Sequence, residues 1–139
     1  MTPAAEKKTD VDVVVLDTIG ELGRFYSLAD VVFIGGSLVS HGGHNILEPA
    51  AQGKPIIVGP HMFNFKDIYA LLSNREACAT VRDQETLTAT LMEILSDAEL
   101  SAAMSRNSRT VIEENRGAAQ KNTVELQQLL EKELLKAEK

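Results

Sequence analysis

The stretch from Gly35 to Pro49 (GGSLVSHGGHNILEP) holds the densest set of chemically useful groups in this chain. It follows an apolar run, Val31–Ile34, and leads into a helical pattern that ends near Gly53. Two glycine pairs, Gly35-Gly36 and Gly42-Gly43, lie in this one connection. Glycine reaches positive φ and lets a ligand approach the main chain closely. A helix that opens straight after such a loop turns unpaired N–H groups and a positive dipole end toward it, a setting for phosphate or carboxylate. The pattern predicts an anion-binding, nucleotide-binding loop. His41, His44 and His61 invite a metal reading, but His41-x-x-His44 sits in a glycine loop rather than on a helix, and no cysteine cluster or second ligand pair joins it. No metal or other cofactor is expected.

The elements that would position this loop follow from apolar patterning. Val11–Leu16, with the run Val13–Leu16, reads as a buried strand. A short helix then runs through Glu21 and Leu22 to near Ala29, and Val31–Ile34 forms a second strand. Asn45 is a good N-cap with Glu48 in capping-box spacing, and Pro49 must lie in or near the first turn, so the next helix starts close to Asn45. Gly53 stops it, and Ile56–Val58 is a third strand. Phe65–Ser73 reads as a helix and Ala77–Val81 as a fourth strand. Asp83 caps a helix to Leu95, Ser96 with Glu99 opens another that ends near Asn115–Gly117, and residues 118 to about 137 form a last amphipathic helix. Strands alternating with helices predict an α/β fold, a Rossmann-like parallel sheet of about four strands with flanking helices. Residues 1–10 read as a frayed end or an appended start, and residues 11–139 as one partial domain.

Composition narrows the function classes. The chain has 139 residues, a formal net charge of −6 and 4% aromatic residues without tryptophan. That balance excludes a basic stripe or a stacking platform, so no nucleic-acid partner is expected. The single cysteine, Cys78, cannot form an internal disulfide and reads as a small buried hydrophobe. No apolar run approaches the ~20 residues that span a bilayer.

Five segments, DTIGEL (Asp17–Leu22), FIGGSLV (Phe33–Val39), GGHNILEPA (Gly42–Ala50), GPHMFNF (Gly59–Phe65) and NRGA (Asn115–Ala118), stand in an order and spacing that resembles bacterial 3-deoxy-D-manno-octulosonic acid (Kdo) transferase. The resemblance runs from about Val13 to Gln120 and is to the C-terminal part of that GT-B glycosyltransferase. It implies two Rossmann-like domains facing a cleft. The C-terminal one binds the donor CMP-Kdo, and the N-terminal one binds the lipid A precursor and supplies the catalytic carboxylate. No catalytic residue is therefore assigned here, and the fragment is expected to be inactive alone and soluble. The full enzyme is expected at the cytoplasmic face of the inner membrane, held there through its N-terminal region. Self-association of the fragment is expected.

The resemblance also implies a nucleotide-sugar site. Glu48 resembles the acidic residue that accepts hydrogen bonds from the ribose, beside its possible role in a capping box with Asn45. Gly42, Gly43, His44 and Asn45 would offer donors to phosphate or to the Kdo carboxylate. Gly35, Gly36 and Ser37 lie at the carboxyl end of a strand, where open α/β sheets bind ligands; Ser37 could donate to phosphate or merely cap its turn. Gly20, Glu21 and Leu22 would cradle the cytidine on the same edge. The alternatives are another GT-B sugar-nucleotide domain, or a small Rossmann-like interaction or regulatory module without such a ligand.

Overall fold

The computed structural model describes residues 12–116. Its elements are α1 (Leu22–Tyr26), β1 (Val32–Phe33), α2 (Leu47–Ala51), β2 (Ile56–Val58), a 3₁₀ turn (Phe63–Phe65), α3 (Lys66–Asn74), β3 (Cys78–Thr80), α4 (Gln84–Ser96) and α5 (residues 98–116). The sheet is parallel with order β1-β2-β3, pairing Val32 with Ile56 and Ile57 with Ala79. The last amphipathic helix expected from the sequence, residues 118 to about 137, lies outside the described residues.

The central strand β2 organises the core because its three residues are apolar, largely β-branched and wholly buried. Successive strand side chains point to opposite faces, and the burial follows this alternation. Ile56 and Val58 join Val32, Ile34, Ile46, Leu72, Cys78 and Val111 on one side. Ile57 joins Val81, Ile94 and Met104 on the other. Helix α5 serves both faces, with Met104 in one cluster and Val111 in the other. Between them, the buried Ser108 hydroxyl lies 3.4 Å from both the Lys54 and Ala77 carbonyls. Lys54 lies two residues before β2 and Ala77 one residue before β3, so α5 closes the amino end of the sheet and leaves the carboxyl end open.

The sheet has three strands among the described residues, not about four. Val13, Val14 and Val15 are exposed at 77–81% and lie outside it. β-Branched residues suit strands when they pack on a pleated, half-buried surface, and this run has no ladder partner among the described residues. A second difference concerns α5. Ser96 does not cap it; its hydroxyl donates back to the Met92 carbonyl at 2.7 Å, within α4. Asp97 is the cap, with Oδ1 accepting from Glu99 N–H and Leu100 N–H at 2.9 Å each. A carboxylate without a competing back-bond outperforms a serine whose hydroxyl is already committed.

Other boundaries shift less. The helix after the glycine loop starts at Leu47 rather than at Asn45, and α3 starts one residue later than its pattern suggests, after the 3₁₀ turn. Gly53 ends α2 as expected: its N–H donates to the Ala50 carbonyl at 2.9 Å while Lys54 N–H reaches Pro49 at 3.1 Å. That paired arrangement needs the positive φ of 63° that Gly53 adopts. Asp83 caps α4, with Oδ1 accepting from Thr86 N–H at 2.8 Å.

Candidate functional site

A cavity of about 440 Å³ opens at the carboxyl end of β1, between α1 and α2. Val32, Phe33 and Ile34 form its floor, Leu22 and Tyr26 line it from α1, and Gly35, His44, Asn45 and Glu48 complete it. Each wall has a local cause. Leu22 and Tyr26 are four residues apart and so share a helix face. Lys54 Nζ donates to the Ser27 carbonyl at 2.9 Å, which ties the end of α1 to the far end of α2. At the start of α2, Asn45 Oδ1 accepts from Leu47 N–H at 3.0 Å and Asn45 Nδ2 donates to Glu48 Oε1 at 2.8 Å.

The glycine loop is built from the inside by a second loop. Ser37 is buried; its hydroxyl donates to the Ile34 carbonyl at 2.5 Å and accepts from Gly59 N–H at 2.7 Å. Its carbonyl accepts from His61 N–H at 2.9 Å. A Cβ at Gly59 would collide with the Ser37 carbonyl and the Leu38 nitrogen, so the two loops can approach this closely only through glycine. Asn64 holds the other side: its N–H donates to the Gly42 carbonyl and its Nδ2 to the His41 carbonyl, both at 3.2 Å. Gly43 N–H donates to the Gly36 carbonyl at 3.2 Å. Gly42 and Gly43 have φ of 94° and 74° and are packed under Phe63, Asn64 and Met62.

Of the residues predicted from sequence, the cavity therefore gathers Leu22, Gly35, His44, Asn45 and Glu48. It does not gather Ser37, Gly42 or Gly43, whose polar groups hold the loop together. Gly36 sits behind the wall beside the His41 and His44 side chains. Gly20 is in open surroundings, and Glu21 precedes α1 with its carboxylate accepting from the Thr18 hydroxyl. Helix α2, which follows the loop, has only five residues, so few peptide dipoles are aligned behind its amino end. The His41 and His44 rings lie 6.0 Å apart with a 55° tilt. No group of three or more metal-ligating side chains occurs among the described residues.

Tyr26 and Phe33 were not assigned to the site from sequence. The i, i+4 spacing of Leu22 and Tyr26 was the available signal for the tyrosine. Burial raises the Tyr26 phenol above its ordinary pKa, and the nearby Glu48 carboxylate raises it further. The phenol is therefore neutral at physiological pH and sits within the field of the Glu48 charge.

Residues 2–111 match the family described as glycosyl transferases group 1, and the chain belongs to that family. It is similar to the 3-deoxy-D-manno-octulosonic acid transferase of Haemophilus influenzae, with 37% identity over 81% of this chain and 26% of the relative. It is similar also to that of Bordetella pertussis, with 35% identity over 85% of this chain and 28% of the relative. The chain thus spans about a quarter of the length of these curated relatives. Among solved structures it is similar to the C-terminal CMP-Kdo binding domain of WaaA from Acinetobacter baumannii. That match has a TM-score of 0.66 and 34% identity, and covers 70% of this chain and 51% of that one.

Proposed function

We propose that this chain forms the donor side of a Kdo transferase and binds CMP-Kdo in the cavity at the carboxyl end of β1. The observation that supports this best is the convergence on one cavity of Leu22, Gly35, His44, Asn45 and Glu48, residues from three segments that resemble the family. A volume of about 440 Å³ suits a nucleotide. The similarity to a CMP-Kdo binding domain supports the same reading. Glu48 accepts the ribose hydroxyls, Leu22 and Phe33 offer apolar surface to the base, and His44 borders the phosphate. Transfer of Kdo to a lipid A precursor, on the inner membrane in lipopolysaccharide synthesis, requires an acceptor site and a catalytic base from outside these residues. These residues by themselves bind donor and do not turn over.

Titration of the 139-residue chain with CMP, followed by amide chemical shifts, tests the proposal. Perturbations centred on Leu22, Tyr26, Gly35, His44 and Glu48 are expected. Shifts confined to α4 and α5, or none, reject it. Glu48→Gln separates the two roles of that side chain: loss of the CMP response at unchanged melting temperature supports ribose contact, whereas a lowered melting temperature with an intact response supports a purely local structural role.

A further inference from the structure

The two ends of the Asn45 amide do different work. Oδ1 accepts from Leu47 N–H and thereby satisfies one of the donors that every helix start leaves unpaired. The bond from Nδ2 to Glu48 Oε1 at 2.8 Å serves no such purpose. In a capping box the glutamate would reach back to the backbone N–H of the cap residue, not to its side chain. Ile46 occupies the cap position of α2 and receives no side-chain hydrogen bond, so the box is not formed. Asn45 is half-buried while Glu48 is exposed, so the anchored residue holds the looser one. One lone pair of Oε1 is engaged; the other and both of Oε2 remain to accept from a ligand. Tyr26, whose phenol feels the Glu48 charge, stands nearby and is neutral.

We infer that Asn45 is a positioning residue that fixes the Glu48 carboxylate for the sugar hydroxyls of the nucleotide, and so sets the preference of the site for ribose. This rests on the donor site proposed above. A free glutamate samples several rotamers and must be ordered when ligand arrives; one already held by a neutral amide loses less freedom on binding. The amide also donates to the carboxylate without cancelling its charge, so Glu48 keeps its strength as an acceptor.

The test compares CMP with 2′,3′-dideoxycytidine monophosphate, which has the same base and phosphate but neither ribose hydroxyl. Calorimetry on the whole chain and on Asn45→Ser reads both affinities, and thermal unfolding controls for the fold. Serine keeps a helix-start acceptor for Leu47 N–H and removes the donor to Glu48. The wild-type chain is expected to prefer CMP. Asn45→Ser is expected to weaken CMP by up to about tenfold, the ordering cost of a Glu48 side chain that must then be fixed on binding, and to leave the dideoxy nucleotide unchanged. Should Asn45→Ser fail to fold, Asn45→Thr likewise keeps a helix-start acceptor for Leu47 N–H and removes the donor to Glu48 without adding charge. Equal weakening of both nucleotides, or an unchanged preference in either variant, overturns the role of Asn45 and leaves the donor site standing. A wild-type chain that binds both nucleotides equally overturns the ribose contact of Glu48, and one that binds neither overturns the donor site itself.

Discussion

At the scale of single residues, the polar groups of the glycine loop divide into those that face the cavity and those that build its wall. Ser37 belongs to the wall. Ser37→Ala would leave the buried Gly59 N–H without its acceptor, at a cost of about 1–3 kcal/mol, readable as a lower urea midpoint with an unchanged slope. A midpoint equal to wild type would show that the hydroxyl is dispensable there. Cys78 illustrates a different isolation. Burial in β3 pushes its thiol up to about 12. The thiolate is the reactive form, so alkylation at pH 8 should run on the order of 10³-fold slower than for a free cysteine, until the chain is unfolded. Burial disfavours the thiolate in the folded state, so this group's effect on stability is absent below the ordinary thiol pKa. Stability then declines as pH rises from about 9 toward about 12. Fast alkylation of the folded chain would contradict the packing of β3.

At the scale of elements, short strands and helices stand because side chains fasten their ends. Helix α4 is the clearest case. Asp83 accepts from Thr86 N–H at 2.8 Å, and the Thr86 hydroxyl in turn accepts from Asp83 N–H at 3.1 Å. The bonds from the Thr86 backbone and side chain hold the Asp83 carboxyl below its ordinary pKa. A depressed folded pKa means that the contribution is full above the ordinary aspartate range and is lost as pH falls through the lower folded value. Asp83→Asn, which keeps an acceptor for Thr86 but cannot titrate, should therefore flatten the acid limb of the stability curve; an unaltered acid limb would assign that limb to other carboxylates. Helix α2 is fastened at both ends, by Asn45 and by Gly53, although it has only five residues. This is why the cavity wall it carries can be stiff without a long helix.

At the scale of the whole molecule, α5 closes the amino end of the sheet and the cavity opens at the other. The outer edge of β1 pairs with no strand among the described residues, while Val13–Val15, Ile19 and Leu28 are exposed near it in sequence. Unpaired edges and exposed apolar residues favour pairing with another chain. Sedimentation of the isolated chain is expected to show concentration-dependent self-association, and a monomer at every concentration would remove this expectation. No helix among the described residues is long and apolar enough to cross a membrane.

How much of this was legible before folding depends on the range of the force involved. Local chemistry was readable: the β-branched run of β2, the first-turn Pro49, the stop at Gly53, the cap at Asp83 and the glycine-rich connection all act within a few residues of themselves. The short range of these effects also misleads, since Val13–Leu16 has strand propensity but no ladder partner among the described residues, and Ser96 looks like a cap until its hydroxyl turns back into α4. Contacts between distant segments decided the site. Ser37 is turned away from the cavity by Gly59, Gly42 by Asn64, and Tyr26 is brought to Glu48 by the docking of α1 on α2. The sequence by itself determined that a glycine loop with a following carboxylate stands at the carboxyl end of a parallel strand. Only the tertiary structure decided which of its groups face the cavity, because burial and hydrogen bonding between segments far apart in the chain consume the others first.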